Sequence, residues 1–507
     1  MRIHLLSFYI FVTLANATAQ NTTSPDGKRD FQWMFGYESF VTPAWGGSDL
    51  FFHNNKVVAK AKNRKMNFAG TSASICDTAG NLLFYTNGIY VANRQDSFML
   101  NSDSLNPGSV ADGWRNDGYP MPITHFILPK PGSDYLYALF HLRATVRGLY
   151  DRLHETIVDM RQENGLGAVV QKNKIVIEGD FTGVAATRHA NGRDWWILLP
   201  KQHTNIYYTF LYDTEGLHGP FSQSDSSDVP TFIESYQAQT NFSIDGNKYV
   251  KFDNNNGFYV FDFNRCTGLL SNGKYVHHTV YPGAAAIFSP NGRFLYTTDA
   301  NIVFQFDTEA ADIGASLDTV AVWDGFHSPP NGPPTGFFLS QTGPDSKIYL
   351  NCTSYSNAMH TINKPDLKGI ACEVCQHCIL LPTYNGFTLP YFPNFRLGAL
   401  IGSPCDTIYR LPVPVPNDDW KLYPNPSSVE LNIKKPDRLL GAVLSFTLYN
   451  SLGKQVFATE LPLNNSVTTI ELGKLPAAMY FYTISASPTE SGGKGALLKS
   501  GKVIIQR

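Results

Sequence analysis

The sequence carries little charge. Only 16% of its 507 residues are Asp, Glu, Lys or Arg, and the formal net charge is −2. A balance so close to neutrality gives no electrostatic case for binding nucleic acid or an anionic membrane surface. Blocks of like charge, which would indicate a disordered tail, are also absent. The protein therefore does not belong to the classes that act through a strongly charged surface.

Long apolar runs and long helical periodicity are missing as well. Beyond the N-terminus, no stretch is long and apolar enough to cross a bilayer. Aromatic residues make up 13% of the chain, and they recur with β-branched residues in short runs that are typical of strands. We therefore predict an all-β protein with room for more than one domain.

Catalytic signatures are absent too. Neither H-E-x-x-H nor G-x-S-x-G occurs. The polar residues of types found in active sites have no spacing that signals a reaction: His125, His141, His154, Glu155, Asp180, His189 and His203. We predict no catalytic, cofactor-binding or metal-binding residue from the sequence.

The N-terminus has the layout of a secretory signal peptide. Arg2 supplies a positive charge, residues 5–14 are apolar, and Ala17 and Ala19 frame a small-residue cleavage site. We predict a signal peptide at residues 1–19, with cleavage between Ala19 and Gln20.

A turn residue followed within four positions by an aromatic recurs six times through the middle of the chain. The intervals between copies run from 46 to 59 residues. Asn-Gly and Asp-Gly pairs favour tight hairpin turns, and the residues that follow suit a half-buried strand. The copies begin at Gly80, Ser133, Gly192, Gly246, Gly292 and Ser346.

A second signature sits inside four of these units. An apolar strand ends in Asp before a glycine turn, at Asp159, Asp213, Asp262 and Asp307. Each unit then holds two hairpins, and stacking such units radially gives a β-propeller, predicted at residues 31–408.

A β-sandwich with regular turns is the alternative. Strands at 31–35 and 49–52 precede the first motif and are expected to lock the ring, which favours seven blades slightly over six.

Seven cysteines in an exported chain suggest disulfides, and the odd number leaves at least one thiol free. Cys372, Cys375, His377 and Cys378 look like metal ligands, but a second separated ligand pair is missing. Disulfides or mixed thiol states are therefore favoured over zinc. The one pairing we predict is Cys372 with Cys405.

Three other stretches were open to a functional interpretation. At residues 188–196, Trp195 and Trp196 either stack on a ligand or pack on opposite faces of one strand, and the second interpretation is favoured. The insertion at 93–120 is interpreted as decoration rather than a functional loop. The Pro/Gly-rich residues 327–336 are interpreted as an inter-blade loop that could lie on the rim of a binding face.

The last part of the chain differs in character. Residues 409–419 form a proline-rich spacer, and residues 420–507 contain six or seven alternating strands, which predict a small Ig-like β-sandwich. Its motifs at 422–427, 448–454 and 475–480 resemble the type A C-terminal sorting domain of the type IX secretion system of Bacteroidetes-type bacteria. Ala478 stands where that family usually has Gly. The resemblance implies export across the outer membrane, with the secretion machinery as a partner.

The middle region resembles uncharacterised secreted β-propeller proteins that carry the same tag. The similar stretches are residues 74–88, 188–196 and 392–398. This resemblance supports a propeller and implies no activity.

We therefore predict a secreted or cell-surface propeller that acts as a binding or interaction protein without a cofactor. Its ligand stays open among a glycan, a peptide and a surface protein. The alternative is an extracellular lactonase-, lyase- or hydrolase-like enzyme with a polar, metal-binding channel. Three or more polar side chains converging in the channel would favour the enzyme. An apolar channel with aromatics on an open face would favour binding.

Overall fold

The structure is a computed structural model. It describes residues 20–37, 45–53, 56–224, 239–253, 255–280, 285–328, 331–406, 420–435, 444–450, 454–462, 465–486 and 497–506. The predicted signal peptide at 1–19 and the predicted spacer at 409–419 lie outside these residues. The chain divides into two compact units, Met1–Thr407 and Ile408–Arg507, and each is described by itself.

The first unit contains eight antiparallel sheets within its described residues: seven are blades, and the eighth is a two-stranded sheet formed by the first and last strands of the unit. Strand β1 spans Gln20–Thr23. Blade 1 has β2 (Gln32–Tyr37), β3 (Gly46–His53) and β4 (Lys56–Lys62). Blade 2 has β5 (Ala73–Cys76), β6 (Leu82–Thr86) and β7 (Val91–Asn93). Blade 3 has β8 (His125–Pro129), β9 (Leu136–Ala144), β10 (Tyr150–Asp159) and β11 (Ala168–Phe181).

The other four blades each have four strands in chain order. Blade 4 has β12 (Ala185–Arg188), β13 (Trp195–Pro200), β14 (Ile206–Tyr212) and β15 (Leu217–Ser224). Blade 5 has β16 (Thr240–Phe242), β17 (Lys248–Asp253), β18 (Gly257–Asn264) and β19 (Leu269–His277). Blade 6 has β20 (Ala286–Phe288), β21 (Phe294–Thr298), β22 (Ile302–Asp307) and β23 (Asp318–Val322). Blade 7 has β24 (Phe337–Thr342), β25 (Ile348–Cys352), β26 (Ser356–Ile362) and β27 (Val374–Asn385).

Helical structure in the described residues is short. Helix α1 spans Ser109–Gly113. Three 3₁₀ turns span Glu163–Gly165, Gly314–Ser316 and Gly369–Cys372. None of these elements is long enough to span a membrane.

Each copy of the repeat predicted from the sequence corresponds to one blade of the propeller. All six turn motifs lie between the first and second strands of a blade, from blade 2 to blade 7. Gly192, Gly246 and Gly292 have φ between 71° and 75°, a conformation that costs little only for glycine. Blade 1 has no such motif. It is built from the two strands that precede the first copy, together with β4.

The ring closes between the last blade and the first. Strand β27 contacts all three strands of blade 1, and Ser48 Oγ lies 2.7 Å from Thr383 Oγ1. The first strands of successive blades are also in contact: β2 contacts β5, and β20 contacts β24. The prediction of a β-propeller with seven blades is confirmed.

Residues 389–398, which follow blade 7, fill the axis of the ring. Phe392 packs on Trp33 of blade 1 at 5.8 Å between ring centroids, and Tyr391 packs on Phe126 of blade 3 at 6.0 Å. Phe395 meets Trp195 of blade 4 edge-on at 5.8 Å. The same segment bonds to blades 5 and 7, through Asn394 Nδ2 to the Ile244 carbonyl and Phe392 N to Gln341 Oε1. Because this one segment contacts blades 1, 3, 4, 5 and 7, we place it along the axis of the ring.

Strand β28 (Leu397–Ile401) follows this segment and pairs with β1, so Gln20 lies opposite Ile401. Arg396 donates to both carboxylate oxygens of the fully buried Asp30, at 2.8 and 2.9 Å. Arg188 of blade 4 donates to Asp26 at 2.7 Å. The chain just after β1 is therefore fixed both to the axial segment and to a blade.

The second unit is a sandwich of two sheets. One sheet has β29 (Lys421–Tyr423), β30 (Glu430–Lys434) and β33 (Val467–Glu471). The other has β31 (Leu444–Tyr449), β32 (Gln455–Leu461), β34 (Ala478–Ala486) and β35 (Leu497–Ile505). Buried and half-buried residues alternate along β31, and Phe446, Ile484 and Val503 lie in the core. The alternation predicted this sandwich, and the prediction is confirmed.

Candidate functional site

Three of the histidines singled out in the sequence lie side by side in blade 3. His125 on β8 is directly opposite His141 on β9, which is directly opposite His154 on β10. Their ring centroids are 5.5 Å and 5.2 Å apart. All three are at most 2% exposed. We call this group the histidine ladder.

A chain of hydrogen bonds fixes the histidine ladder in the neutral state. Asn106, from the 93–120 insertion, donates through Nδ2 to His125 Nε2 at 2.8 Å and accepts from His141 Nδ1 at 2.7 Å. His141 Nε2 accepts from Thr156 Oγ1 at 2.9 Å. Burial lowers the pKa of His125 to about 3 and that of His154 to about 4, and it holds the pKa of His141 well below its usual value. Asn106 thus bridges His125 and His141, and neutral imidazoles at this depth serve packing within blade 3 and against the 93–120 insertion.

The stretch at 188–196 also has a structural role. Trp195 is fully buried against Phe395, and the Arg188 guanidinium lies 3.8 Å from the centre of the Trp195 ring. Trp196 faces the other way and donates its indole N–H to the Arg265 carbonyl at 2.8 Å. His189 Nε2 bonds to the Cys266 carbonyl at 3.1 Å. These residues pack in the core of the propeller and hydrogen-bond to the turns beside it.

The remaining polar candidates do not converge on the axis. Glu155 pairs with Lys174 at 3.2 Å on the sheet of blade 3, whereas Asp180 and His203 are exposed. Along the axis, a cavity of about 20 Å³ is left between the filling segment and the lining side chains of Ile287 and Thr342. That is room for about one water molecule. Among the described residues, no three His, Cys, Asp or Glu side chains are arranged to hold a metal ion.

The cysteines pair differently from the sequence expectation. Cys405 bonds to Cys266, and Cys375 bonds to Cys378. Cys372 is a free, fully buried thiol in the core of blades 6 and 7, and burial raises its pKa. The predicted bridge from Cys372 to Cys405 is therefore not the one in the structure. Cys405 follows β28, whose place beside β1 brings it to the last turn of blade 5 rather than to Cys372.

An open pocket of about 510 Å³ lies where blades 7, 1 and 2 meet, and we call it the aromatic pocket. Blade 1 supplies Tyr37 at the end of β2 and Trp45 just before β3. The 93–120 insertion and the segment after it supply Trp114, Pro120 and Pro122. Blade 7 supplies the other main walls: Phe338, Thr353, Tyr355, Gly386 and Phe387.

The rings of the aromatic pocket support one another. Trp45 packs on Tyr355 at 5.3 Å and on Tyr384 at 5.2 Å, and its backbone bridges to Tyr384 of β27. Closure of the ring therefore sets the position of Trp45. Three rings keep substantial exposure: Trp114 at 39%, Tyr355 at 40% and Phe387 at 49%. Clustered exposed aromatics at a concave site are typical of a ligand-binding surface.

The polar groups of the aromatic pocket are few. No charged side chain lines it among the described residues. Tyr37 donates its hydroxyl to Asp117 at 3.1 Å. The indole nitrogens of Trp45 and Trp114 and the hydroxyl of Tyr355 have no protein partner within the described part of the chain. The pocket thus offers flat apolar faces with donors at their edges.

The comparison with protein families bears on the second unit. Residues 421–494 match the secretion system C-terminal sorting domain. The chain is therefore exported by type IX secretion to the cell surface or the extracellular space, and the predicted sorting domain is confirmed. A search of curated protein sequences finds no significant match.

Distant likenesses to solved structures cover most of the chain. A Bacteroides fragilis protein named as a candidate 6-phosphogluconolactonase is 12% identical, with a TM-score of 0.43, and the match covers 71% of this chain and 97% of that one. The periplasmic gluconolactonase PpgL of Pseudomonas aeruginosa is 13% identical, with a TM-score of 0.39 and coverage of 73% and 99%. These likenesses are too distant to carry an activity over. The propeller assignment stands on the seven sheets themselves.

Proposed function

We propose that the propeller is an exported binding module whose ligand site is the aromatic pocket. The observation that carries the proposal is the contrast between two places in the ring. The axis is filled by residues 389–398, whereas the pocket beside blade 1 is open and lined by exposed rings.

The pocket has the properties that binding requires. Its volume of about 510 Å³ lies within the range of small-ligand sites. Its walls come from sheet ends and from loops held between blades, so the site is largely formed before a ligand arrives. A preformed site spares the ligand the entropic cost of ordering it.

The alternative is an extracellular propeller enzyme with a polar channel. One observation is consistent with this alternative: three histidines lie side by side in blade 3. However, His141 is fully buried and both of its ring nitrogens are already hydrogen-bonded. A general base needs a free nitrogen within reach of substrate. His154 Nδ1 has no partner among the described residues, but His154 is only 2% exposed, so the histidine ladder gives the enzyme alternative little support.

The test is a binding panel combined with a turnover assay on the full chain. The panel contains neutral oligosaccharides, proline-rich peptides and small aromatic acids. We expect one class to bind saturably and to be recovered unchanged. Trp114→Ala and Tyr355→Ala should each weaken that binding about tenfold, because each removes an exposed ring face worth roughly 1.4 kcal/mol.

Phe221→Ala is the matched control, since Phe221 is 51% exposed on blade 4, away from the pocket. It should leave binding unchanged. Failure of all three classes to bind, or turnover that survives both pocket substitutions, contradicts the proposal.

A further inference from the structure

We propose that the aromatic pocket binds an extended, proline-rich peptide segment of a partner protein. This inference rests on the proposed binding function of the pocket and names the class of ligand. It is drawn from the balance of hydrogen-bond donors and acceptors at the site, its lack of charge and its ring surfaces.

Two of the polar side-chain groups of the pocket can only donate, and the hydroxyls of Tyr355 and Thr353 can donate or accept. The indole nitrogens of Trp45 and Trp114 can only donate, and neither has a protein partner within the described residues. The Tyr355 hydroxyl makes no hydrogen bond within the described part of the chain, and the Tyr37 hydroxyl already gives its proton to Asp117. Thr353 supplies the remaining side-chain hydroxyl. A well-matched ligand therefore brings acceptors for the two indole groups.

A sugar meets this condition less well, because it brings a donor with every acceptor. Each hydroxyl of a pyranose both donates and accepts, and a buried hydroxyl left without a partner costs about 1–3 kcal/mol. No carboxylate or side-chain amide lines the described pocket to accept from such hydroxyls. A charged ligand is also less well matched, because no Lys, Arg, His, Asp or Glu lines the pocket among the residues that the structure describes.

A proline-rich segment does meet the condition. Proline has no backbone N–H, so a run of prolines presents carbonyl acceptors and apolar rings. Such a run forms an extended left-handed helix with no internal hydrogen bonds, whose carbonyls are free for indole and phenol donors. Aromatic-lined grooves recognise proline-rich peptides in this way, and the stiffness of the peptide lowers the entropic cost of binding.

The exposed rings fit this mode of recognition. Trp114, Tyr355 and Phe387 come from three different segments and present ring surface to solvent. The open side of the pocket lets a continuous chain enter and leave. The chain carries one segment of the same chemistry, Leu-Pro-Val-Pro-Val-Pro at residues 411–416, which lies outside the described residues and could compete with an added peptide.

The test is a titration of the full chain with a synthetic nonaproline peptide, followed by tryptophan fluorescence. The same titration is repeated with Pro412, Pro414 and Pro416 all replaced by Ala, which removes the competing segment. We expect saturable binding, at least as tight in the triple variant. Tyr355→Ala and Trp114→Ala should each weaken it about tenfold, and Tyr355→Phe, which keeps the ring and loses the donor, should weaken it about threefold. Unchanged thermal melting shows that each variant is folded.

Cellohexaose, a neutral oligosaccharide, is titrated in parallel. If cellohexaose saturates the pocket and the same variants abolish its binding while nonaproline has no effect, the peptide inference is overturned and the pocket remains a binding site. If nonaproline binds equally to wild type, Trp114→Ala and Tyr355→Ala, the peptide binds elsewhere and the inference is also overturned. A Tyr355→Phe affinity equal to that of wild type contradicts the donor argument itself.

Discussion

Replacing Phe395 with alanine is expected to lower the free energy of unfolding of the propeller by about 3–5 kcal/mol. Phe395 is fully buried, and its ring meets Trp195 edge-on at 5.8 Å. It belongs to the segment that fills the axis, where the surrounding blades are too tightly bound to one another to collapse into a cavity. Urea denaturation of the full chain, with the transition of the propeller followed by tryptophan fluorescence, measures the loss.

The matched control comes from the same segment of chain. Phe387 lies just before the axial residues but is 49% exposed in the aromatic pocket. Phe387→Ala should change stability by about 1 kcal/mol or less and should weaken ligand binding. The two substitutions thus separate the filled axis from the binding site. Equal destabilisation by both, or loss of binding with Phe395→Ala at temperatures where it is folded, contradicts this division of roles.

Acidification is expected to destabilise the propeller strongly between pH 6.5 and pH 4. Burial holds the pKa of His125 near 3 and that of His141 well below its usual value of 6.5. An unfolded chain binds protons at these histidines as the pH falls through 6.5, whereas the folded chain does not. Stability is therefore complete above that pH and decreases below it. By pH 5 the loss is about 2 kcal/mol for His125, and His141 adds a loss in the same direction.

The measurement is the urea midpoint at pH 7, 6 and 5, in wild type and in His125→Gln. The substitution removes one titrating group, so it should reduce the pH dependence even though it lowers stability at pH 7. His203→Gln is the control, because His203 lies in an exposed turn of blade 4. It should leave the pH dependence as it is in wild type. A propeller as stable at pH 5 as at pH 7 contradicts the neutral, buried state of the ladder.

Local chemistry made the blades predictable. Glycine at Gly80, Gly192 or Gly246 marks a turn because few other residues adopt positive φ at low cost, and this signal does not depend on the rest of the fold. Six copies therefore gave six blades. The seventh had to be inferred from the two strands before the first copy, which carry no turn signal of their own.

The filling of the axis was not predictable in the same way. Residues 389–398 contain prolines and no alternation, so the sequence alone indicates only an irregular connection. Their role depends on contacts with Trp33, Phe126 and Trp195, which lie far away along the chain. The partner of Cys405 was missed for the same reason, since Cys266 is 139 residues distant and nothing local favours it over Cys372.

The polar residues of the sequence did not indicate the candidate site. The aromatic pocket is assembled from segments that meet only when blade 7 reaches blade 1, and the insertion at 93–120, interpreted as decoration, contributes Trp114. One signal was available: Trp114, Tyr355 and Phe387 lie in turns and loops rather than in strands. Large aromatics outside strands do not serve the packing of a sheet and so deserve a functional hypothesis.

The histidine ladder could have been found from the turns. His125 and His141 are equidistant from Ser133, the turn residue between β8 and β9, so a hairpin centred there places them opposite each other. His141 and His154 lie seven and six residues from Gly148, which is not among the turn residues predicted from the sequence, and the hairpin there places them opposite each other. Register about a predicted turn is therefore a better guide to such clusters than spacing in a motif.

The most direct test of the account is hydroxyl-radical footprinting of the tryptophans in the native protein, read by peptide mass spectrometry. A filled axis and an open aromatic pocket predict rapid oxidation of Trp114 and protection of Trp33 and Trp195, which are 0% exposed. A ligand that fills the pocket should then protect Trp114 as well. Rapid oxidation of Trp33 and Trp195 in the folded protein would mean an open channel and would contradict the account.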